Sequence, residues 1–524
     1  MGTRPNGDGG RLLTRSDAPA PVVIRDRPPE ADDLYKWKAF VAIGISFVTQ
    51  VMSMTMVFVA LSTIADDFGV TLRAGAWVVV AQALTISSLM MPMGRLADIV
   101  GWKRVHLGGL AIFGGGAALT AFAPTFAILI FARVVMATGN AMGQSVGTAM
   151  VVSVFPQNER GMAIGSQTTA VSIGGASGPI VGGLVLQVLP WEALFLMLLV
   201  PIAIAFVAGY LILDDERLNQ PKPADRPSFD FVGALLSASA IALLVITINN
   251  PFRVSWGSPL IIGGLATVAL LFTAFVRWEL RRPSPMLELR MFRNKLFSMA
   301  VLTRLFGFLA ATVTWLLMPI YLISLRGLEE GVAGGVLFLT SLGMGIAAQG
   351  SGRLSDRFAA RPFTIVGLAA QGVTMLFLAL LTRDTPLLLV MALVFVNGLA
   401  MGLWNVPNNS VIMGSVPTSM LGVVGALTNL ARNVGNVTGQ ALASGVVVAV
   451  MAAQGFDIPL GEIADTAGAG DAFVDGWRAA YAIVSCFSLV AVVLAFLTRP
   501  APQAPASIDH PPSERLGAIP PPAR

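Results

Sequence analysis

The chain has 524 residues, of which 55% are apolar and only 12% are Asp, Glu, Lys or Arg; the mean hydropathy is +0.75 and the net charge +5. An ordinary soluble domain carries roughly 25% charged residues, so no water-soluble fold can hide this much apolar surface and the main solvent must be lipid. A positive surplus that would suggest nucleic acid in a soluble protein here reports membrane topology, and no nucleic-acid partner is implied.

Apolar runs recur at the length a bilayer requires, about 20 residues of helix each. They are continuous rather than alternating, which predicts helices and not barrel strands. Residues 1–37 are rich in Pro, Arg and Asp without an early apolar segment or a small-residue cleavage site, and are expected to form a disordered cytosolic tail rather than a signal peptide. The fold class predicted is an all-α membrane protein with fourteen transmembrane helices. The first six lie in 38–213, forming an N-terminal bundle. A polar, Pro-containing linker follows at 214–230, then two inserted helices at 231–277 and a basic segment at 278–297. Six more helices in 298–498 make a C-terminal bundle, and 499–524 is a second disordered tail. An even number of spans puts both termini on one side. Most of the 34 Lys and Arg then fall beside cytosolic segments if that side is the cytosol.

The two bundles share a register. The stretch Gly94 to Arg104, "GRLADIVGWKR", has an echo at Gly352 to Pro362, "GRLSDRFAARP", 258 positions later. Gly178 and Gly182 match Gly435 and Gly439, and Asn140 matches Asn397, each pair 257 apart. A common offset points to two homologous halves with a substrate site between them, an arrangement that transporters use.

Asp98 ends the second helix, where the helix dipole disfavours a negative charge. It requires compensation from nearby cations or from another helix's N-terminus. Gly94 lies one turn earlier on the same face and lets a neighbour come close, Gly101 permits a tight turn, and Lys103 and Arg104 hold the loop in the cytosol. Gly352, Asp356 and Arg357 form the second copy. The fifth helix carries "GGASGPIVGG". Gly174, Gly178 and Gly182 make a smooth face, Gly183 extends the glycine-rich run, and Pro179 removes a backbone hydrogen bond. Arg133 sits about 10 Å into the fourth helix, and Arg432 lies within the thirteenth in "NLARNVGNVTG". Intramembrane arginines normally mark function. Gln50, Gln82, Asn140, Gln144 and Asn397 are candidates for lining a polar cavity. Arg304 is close enough to a helix end to snorkel and is given no role. "WNVPNNS", Trp404 to Ser410, is expected to be a helix terminus.

The pattern from Gly94 to Arg104 resembles the loop signature of the major facilitator superfamily, and fourteen helices with a central pair resemble its drug:proton antiporter branch, the multidrug efflux type. That resemblance implies export from a bacterial inner membrane or plasma membrane by alternating access. It makes Asp98 and Asp356 cytosolic latches, the fifth-helix glycines an antiporter signature, and Arg133 and Arg432 transport residues. Two departures stand out: Ile99 replaces a usual cation, and Ala359 replaces the second glycine of the loop. The branch also places an Asp in its first helix, where this chain has Ser53, with Phe58 and Ser62 at a usual Asn and Pro. No carboxylate is expected deep in any helix, so the arginines favour neutral or anionic amphiphiles over permanent cations.

The expected function is therefore export of small amphiphilic molecules. The alternative is a carrier for uptake, flipping or exchange of a neutral or anionic metabolite, vitamin or lipid. No enzyme activity, metal site or cofactor is expected beyond protons as a coupling ion. The partners are a small-molecule substrate and the lipid bilayer, and the chain is expected to be a monomer. His106 and His510 stand apart, and the lone Cys486 cannot form a disulfide within the chain.

Overall fold

The computed structural model describes residues 29–498, except 216, 219–228, 251–253, 255–256, 283–284, 418–419, 457, 459–462, 464–465 and 467. The proposed tail 499–524 and most of the linker and of the first tail lie outside the described residues. Fourteen long helices run in chain order: α1 Pro29–Asp67, α2 Trp77–Val100, α3 Trp102–Ala121, α4 Phe126–Val154, α5 Arg160–Leu186, α6 Glu192–Ile212, α7 Phe231–Asn249, α8 Pro259–Glu279, α9 Lys295–Ile320, α10 Glu330–Phe358, α11 Ala360–Ala379, α12 Leu387–Gly414, α13 Leu421–Ala453 and α14 Ala469–Leu497. Among the described residues there is no strand.

Thirteen of the helices are long and apolar enough to cross a membrane. The other is α3, whose 20 residues carry Lys103, Arg104 and His106 in the first five and include five glycines. Those glycines account for its low hydropathy and also for its place in the bundle. A Cβ on Gly109 would strike Met142 and the Gly139 carbonyl, and one on Gly116 would strike the Met136 backbone, so α3 lies directly against α4.

Local chemistry starts several helices. Thr125 caps α4 by accepting from the Ile128 N–H at 3.4 Å, Asp230 caps α7 through Gly233 N–H at 2.9 Å, and Ser258 caps α8 just before Pro259 at its first position. α5 and α13 have no such side chain: their N-cap residues, Glu159 and Met420, make no capping bond. What satisfies those two ends comes from elsewhere in the fold.

Each half repeats one packing plan. α1 lies on α5 and α6, α2 on α4, and α3 on α4 and α6; α9 lies on α13 and α14, α10 on α12, and α11 on α12 and α14. The halves meet along α2–α13, α4–α13, α5–α10 and α5–α12. α7 packs on both α2 and α13, and α8 packs on α7.

The apolar core has a matching layout. At the face where α1 begins and α14 ends one cluster joins the halves, with Phe47, Met90, Val151 and Ile164 of the first beside Phe297, Val406, Met413 and Val424 of the second. Toward the other face the clusters are separate: Met56, Phe113, Trp191 and Phe195 in one half, Val313, Met375, Trp477 and Tyr481 in the other. The halves are fused at the terminal face and independent away from it.

Some predicted boundaries shift. α1 begins at Pro29 rather than near 39, because Pro and acidic residues favour a helix start and Lys36 is anchored to Asp33 and Glu159, each at 2.6 Å. α10 runs to Phe358, so Asp356 lies in the helix and not in a loop. α12 passes through Pro407 to Gly414; "WNVPNNS" is helix interior and not a terminus.

Candidate functional site

The two orphan helix ends are capped across the seam between the halves. Asp98, at the end of α2, accepts the Val423 N–H at the start of α13 at 3.1 Å and the Trp102 Nε1–H at 2.8 Å. Asp356, at the end of α10, accepts the Gly161 N–H at 2.7 Å and the Met162 N–H at 2.9 Å at the start of α5. A carboxylate held at a helix C-terminus thereby meets the positive N-terminus of a helix from the other half, in both directions. Of the two forms of compensation open to Asp98, the helix N-terminus of the other half is formed, and the Arg95 charge adds to it.

The motif glycines make the approach possible. A Cβ on Gly94 would meet Ala426 Cβ at 2.6 Å, and one on Gly352 would collide with the Gly161 carbonyl. Gly101 turns the chain at φ 116°, and Ala359, its counterpart, is held at φ 78°, where a side chain is strained. Lys103 donates to the Leu213 carbonyl at 2.5 Å at the end of α6, and Arg104 reaches the Val100 carbonyl at 3.5 Å. Arg357 is exposed.

Beyond the latches, α5 and α10 stay in contact from Gly161–Gly352 through Gly165–Ala348 to Thr169, whose hydroxyl donates to the Gly345 carbonyl at 3.1 Å. The contact fades at Gly175, where the nearest Ser341 atom is 3.9 Å from a built Cβ, and nothing approaches Gly331, Gly334 or Gly335. The halves are closed at the latch face and diverge from it.

Between them lies a cavity of about 290 Å³, walled by α1, α2, α4 and α5 of one half and by α9, α10, α12 and α13 of the other. Its walls hold Arg304, Arg432, Gln144, Asn405, Asn409 and Asn429 beside Phe308, Trp315, Met344 and Met401, and no carboxylate.

A profile of the Major Facilitator Superfamily matches residues 43–440. The chain belongs to that superfamily. It is 29% identical over 78% of its length to the riboflavin transporter RibZ of Clostridioides difficile, covering 88% of that protein. It is 27% identical over 93% of its length to the tetracenomycin C resistance and export protein of Streptomyces glaucescens, covering 83% of it. Its fold matches that of the proton:xylose symporter XylE with a TM-score of 0.64 at 13% identity, over 90% of this chain and 97% of that one. The protein is a multi-pass membrane transporter of the superfamily, and multidrug-resistance and drug-export proteins are among its relatives.

Of the residues expected in the cavity, only Arg432 and Gln144 are there. Arg432 donates from Nη2 to Gln144 Oε1 at 2.9 Å, bridging the halves. Arg133 neither snorkels nor reaches the cavity: it is buried inside the first half, bonded to Gln82 Oε1, 3.5 Å from the Val78 carbonyl and 5.4 Å from the Phe195 ring centroid. Its position, about two turns into α4, puts it on the side facing α2 and α6 rather than the second half. Gln82 is its partner. Gln50 fills the gap over Gly143 between α1 and α4. Asn140 accepts from Gln144 Nε2 at 2.7 Å one turn away, and Asn397 is buried in α12. Neither asparagine lines the cavity.

Gly174, Gly178 and Gly182 of the fifth-helix motif serve the first half alone. Gly174 lies on the Val48 backbone, Gly178 on Met52 and Thr55, and Gly182 on Met56, all in α1; their counterparts Gly435 and Gly439 lie on Leu305 and Leu309 of α9. Pro179 sits inside continuous helix, and Gly183 has no neighbour within 4 Å. Ser53, at the position where the family resemblance leads one to expect an acid, is buried and donates to the Gln50 carbonyl at 2.7 Å.

Arg304 is the main correction. It is buried, not snorkelling, and donates to the Thr428 carbonyl and Asn405 Oδ1, each at 2.8 Å. Asn405 and Asn409 also face the cavity. The spacing Arg304, Phe308, Ala311, Trp315, which repeats one helical face, was the signal available in the sequence.

Proposed function

We propose that this transporter exports small amphiphilic organic molecules by alternating access, with the latch face in the cytosol and the bilayer being a bacterial inner membrane. The observation that carries the reading is the central cavity, sealed on the latch face by two reciprocal carboxylate caps and by a core common to both halves. Such caps form in one arrangement of the halves and break in the other, which is what a two-state gate requires. The basic residues around the latch face support its cytosolic placement. The Gly-Pro-containing fifth helix and an antibiotic-exporting relative support outward transport. The chain is read as a monomeric carrier and not an enzyme.

Proton coupling is the feature with least support, since no carboxylate walls the cavity, and exchange without protons is the second reading. Purified protein in liposomes containing a pH-sensitive dye separates them. Under an imposed pH gradient, a substrate that discharges the gradient establishes proton antiport. Flux with the gradient intact establishes exchange or uniport. No flux of any amphiphile tested, in either direction, refutes the transport reading of this cavity.

A further inference from the structure

We infer that the cavity takes an organic anion, with its acidic group between Arg304 and Arg432 and an aromatic or apolar body directed away from the latch face. The inference rests on the cavity being the substrate site and narrows the class of molecule that fits it.

The argument begins with charge. Arg304 and Arg432 lie 9 and 11 residues into α9 and α13, about 14 and 17 Å along their helices at 1.5 Å per residue. Both stand in the wall of one cavity and repel each other, and neither forms an ion pair among the described residues. Every acceptor they donate to is a neutral oxygen: Thr428 O, Asn405 Oδ1 and Gln144 Oε1. Uncompensated cations in a low-dielectric interior are costly, and two of them in the wall of one cavity call for a counter-charge. The walls supply none. The ligand is the remaining source.

The donors are also available. Nη2 of Arg304, and Nε and Nη1 of Arg432, make no hydrogen bond among the described residues. Three N–H-bearing nitrogens around one space suit a carboxylate, sulfonate or phosphate, which Arg binds through paired hydrogen bonds. Arg133, by contrast, is filled by Gln82 and its own half, and plays no part.

The face of α9 orients the rest of the molecule. Going away from the latch, Arg304 is followed by Phe308, whose ring centroid is 5.0 Å from the guanidinium, and then by Trp315. The adjoining wall, on α13 of the same half, carries amides at Asn433, Asn436 and Gln440, the last donating to Thr312 Oγ1 of α9 at 3.2 Å. A cationic end, a ring-lined passage and an amide ladder fit an aromatic acid bearing polar ring substituents. At about 290 Å³ the space is at the small end for drug-sized ligands.

The test uses the full-length protein in nanodiscs and three probes with one body: anthracene-9-carboxylate, its neutral amide, and 9-(aminomethyl)anthracene. Affinity is read by tryptophan quenching and checked by thermal shift. The expected order is carboxylate at least tenfold tighter than amide, with the ammonium weakest. Arg304→Gln and Arg432→Gln are each expected to bring the carboxylate-to-amide ratio toward one. Equal binding of the three probes, or a ratio that survives both substitutions, overturns the proposal. If a variant fails to fold, the wild-type ratio decides, together with its loss in Arg432→Lys, which keeps charge but not the paired geometry. Anion-selective binding without flux sinks the transport reading and leaves the anion site standing; flux without anion preference does the reverse.

Discussion

Asp356→Asn tests the latch most directly, because Asp356 makes one kind of contact only. Its two oxygens accept the Gly161 and Met162 N–H groups at 2.7 and 2.9 Å. Asparagine keeps one acceptor and turns an N–H₂ toward the other donor, so one charge-assisted bond is lost and the other becomes neutral. Hydrogen bonds to charged groups contribute about 1.5–3 kcal/mol and neutral ones about 0.5–1.5. Asp356 is half-buried, and we take about 1.4 kcal/mol after allowing for solvent, a tenfold shift toward the latch-open state. The reporter is Ser166→Cys in a Cys486→Ser background. Ser166 is buried on the α5–α10 seam, where its hydroxyl accepts from Gln349 Nε2 at 3.2 Å. A membrane-impermeant maleimide added on the latch face reaches it only when the seam opens. When opening is fast relative to labelling, the rate follows the open population, and Asp356→Asn should label about ten times faster. Unchanged labelling in a variant with the wild-type melting temperature would refute the cap as a gate.

Two further outcomes follow from glycine geometry. Ala359 sits at φ 78° where Gly101 occupies the matching turn, so Ala359→Gly should stabilise the protein by about 1 kcal/mol, raising the melting temperature by a few degrees; a fall in melting temperature contradicts the strain. Gly178→Val drives a side chain into Thr55 and to 2.8 Å from the Met52 carbonyl, whereas Gly183→Ala enters open space. The first should destabilise by about 1–3 kcal/mol and the second should stabilise by about 0.4–1 kcal/mol, since alanine loses less backbone freedom in a helix than glycine, compared by thermal unfolding in detergent; equal effects would show that α5 does not rest on α1 as described.

Much of the fold was legible because membrane helices are written in composition. Fourteen apolar runs, the central pair and the common offset of the halves can all be read without coordinates. The latch was legible as a requirement: Asp98 at a helix C-terminus demands a partner, although nothing in "GRLADIVGWKR" says that the partner is the backbone of residue 423. The cavity was harder. Depth along a helix is a one-dimensional quantity, and Arg133 and Arg304 are at similar depths from opposite faces. Which way each points depends on the rotation of its helix within the bundle, set by glycines such as Gly139 and Gly307 that press α4 on α3 and α9 on Trp404. Position thus favoured Arg133, and packing placed Arg304 in the cavity. Pro407 misled in a similar manner, since a proline flanked by asparagines reads as a break, yet the helix runs through it with Asn405 and Asn409 on the cavity side.

The inserted pair breaks the symmetry of the two latches, and this has a measurable consequence. α7 packs on α2 and on α13, the same two helices that Asp98 joins and that α4 of the first bundle also bridges, whereas the α5–α10 seam closed by Asp356 is spanned by α12 of the second bundle and by no inserted helix. The insert is held firmly at its latch-side end: Asp230 caps α7, accepts the Trp278 Nε1–H at 2.9 Å from α8, and Glu279 accepts the Leu287 N–H at 3.1 Å. Asp98 is further supported by Trp102 and lies within reach of the Arg95 charge. Removing its carboxylate therefore leaves α2 and α13 still bridged by an apolar helix, so part of the free energy holding that seam shut survives. Asp98→Asn should accelerate labelling of Ser166→Cys by less than Asp356→Asn does, about two- to fivefold against about tenfold, corresponding to about 0.4–1 kcal/mol. Loosening the insert with Asp230→Ala, which removes a helix cap at a cost of about 1 kcal/mol, should then raise the effect of Asp98→Asn toward that of Asp356→Asn without altering the latter. If Asp98→Asn matches or exceeds Asp356→Asn while Asp230 is intact, α7 is a passenger on the seam rather than part of what closes it.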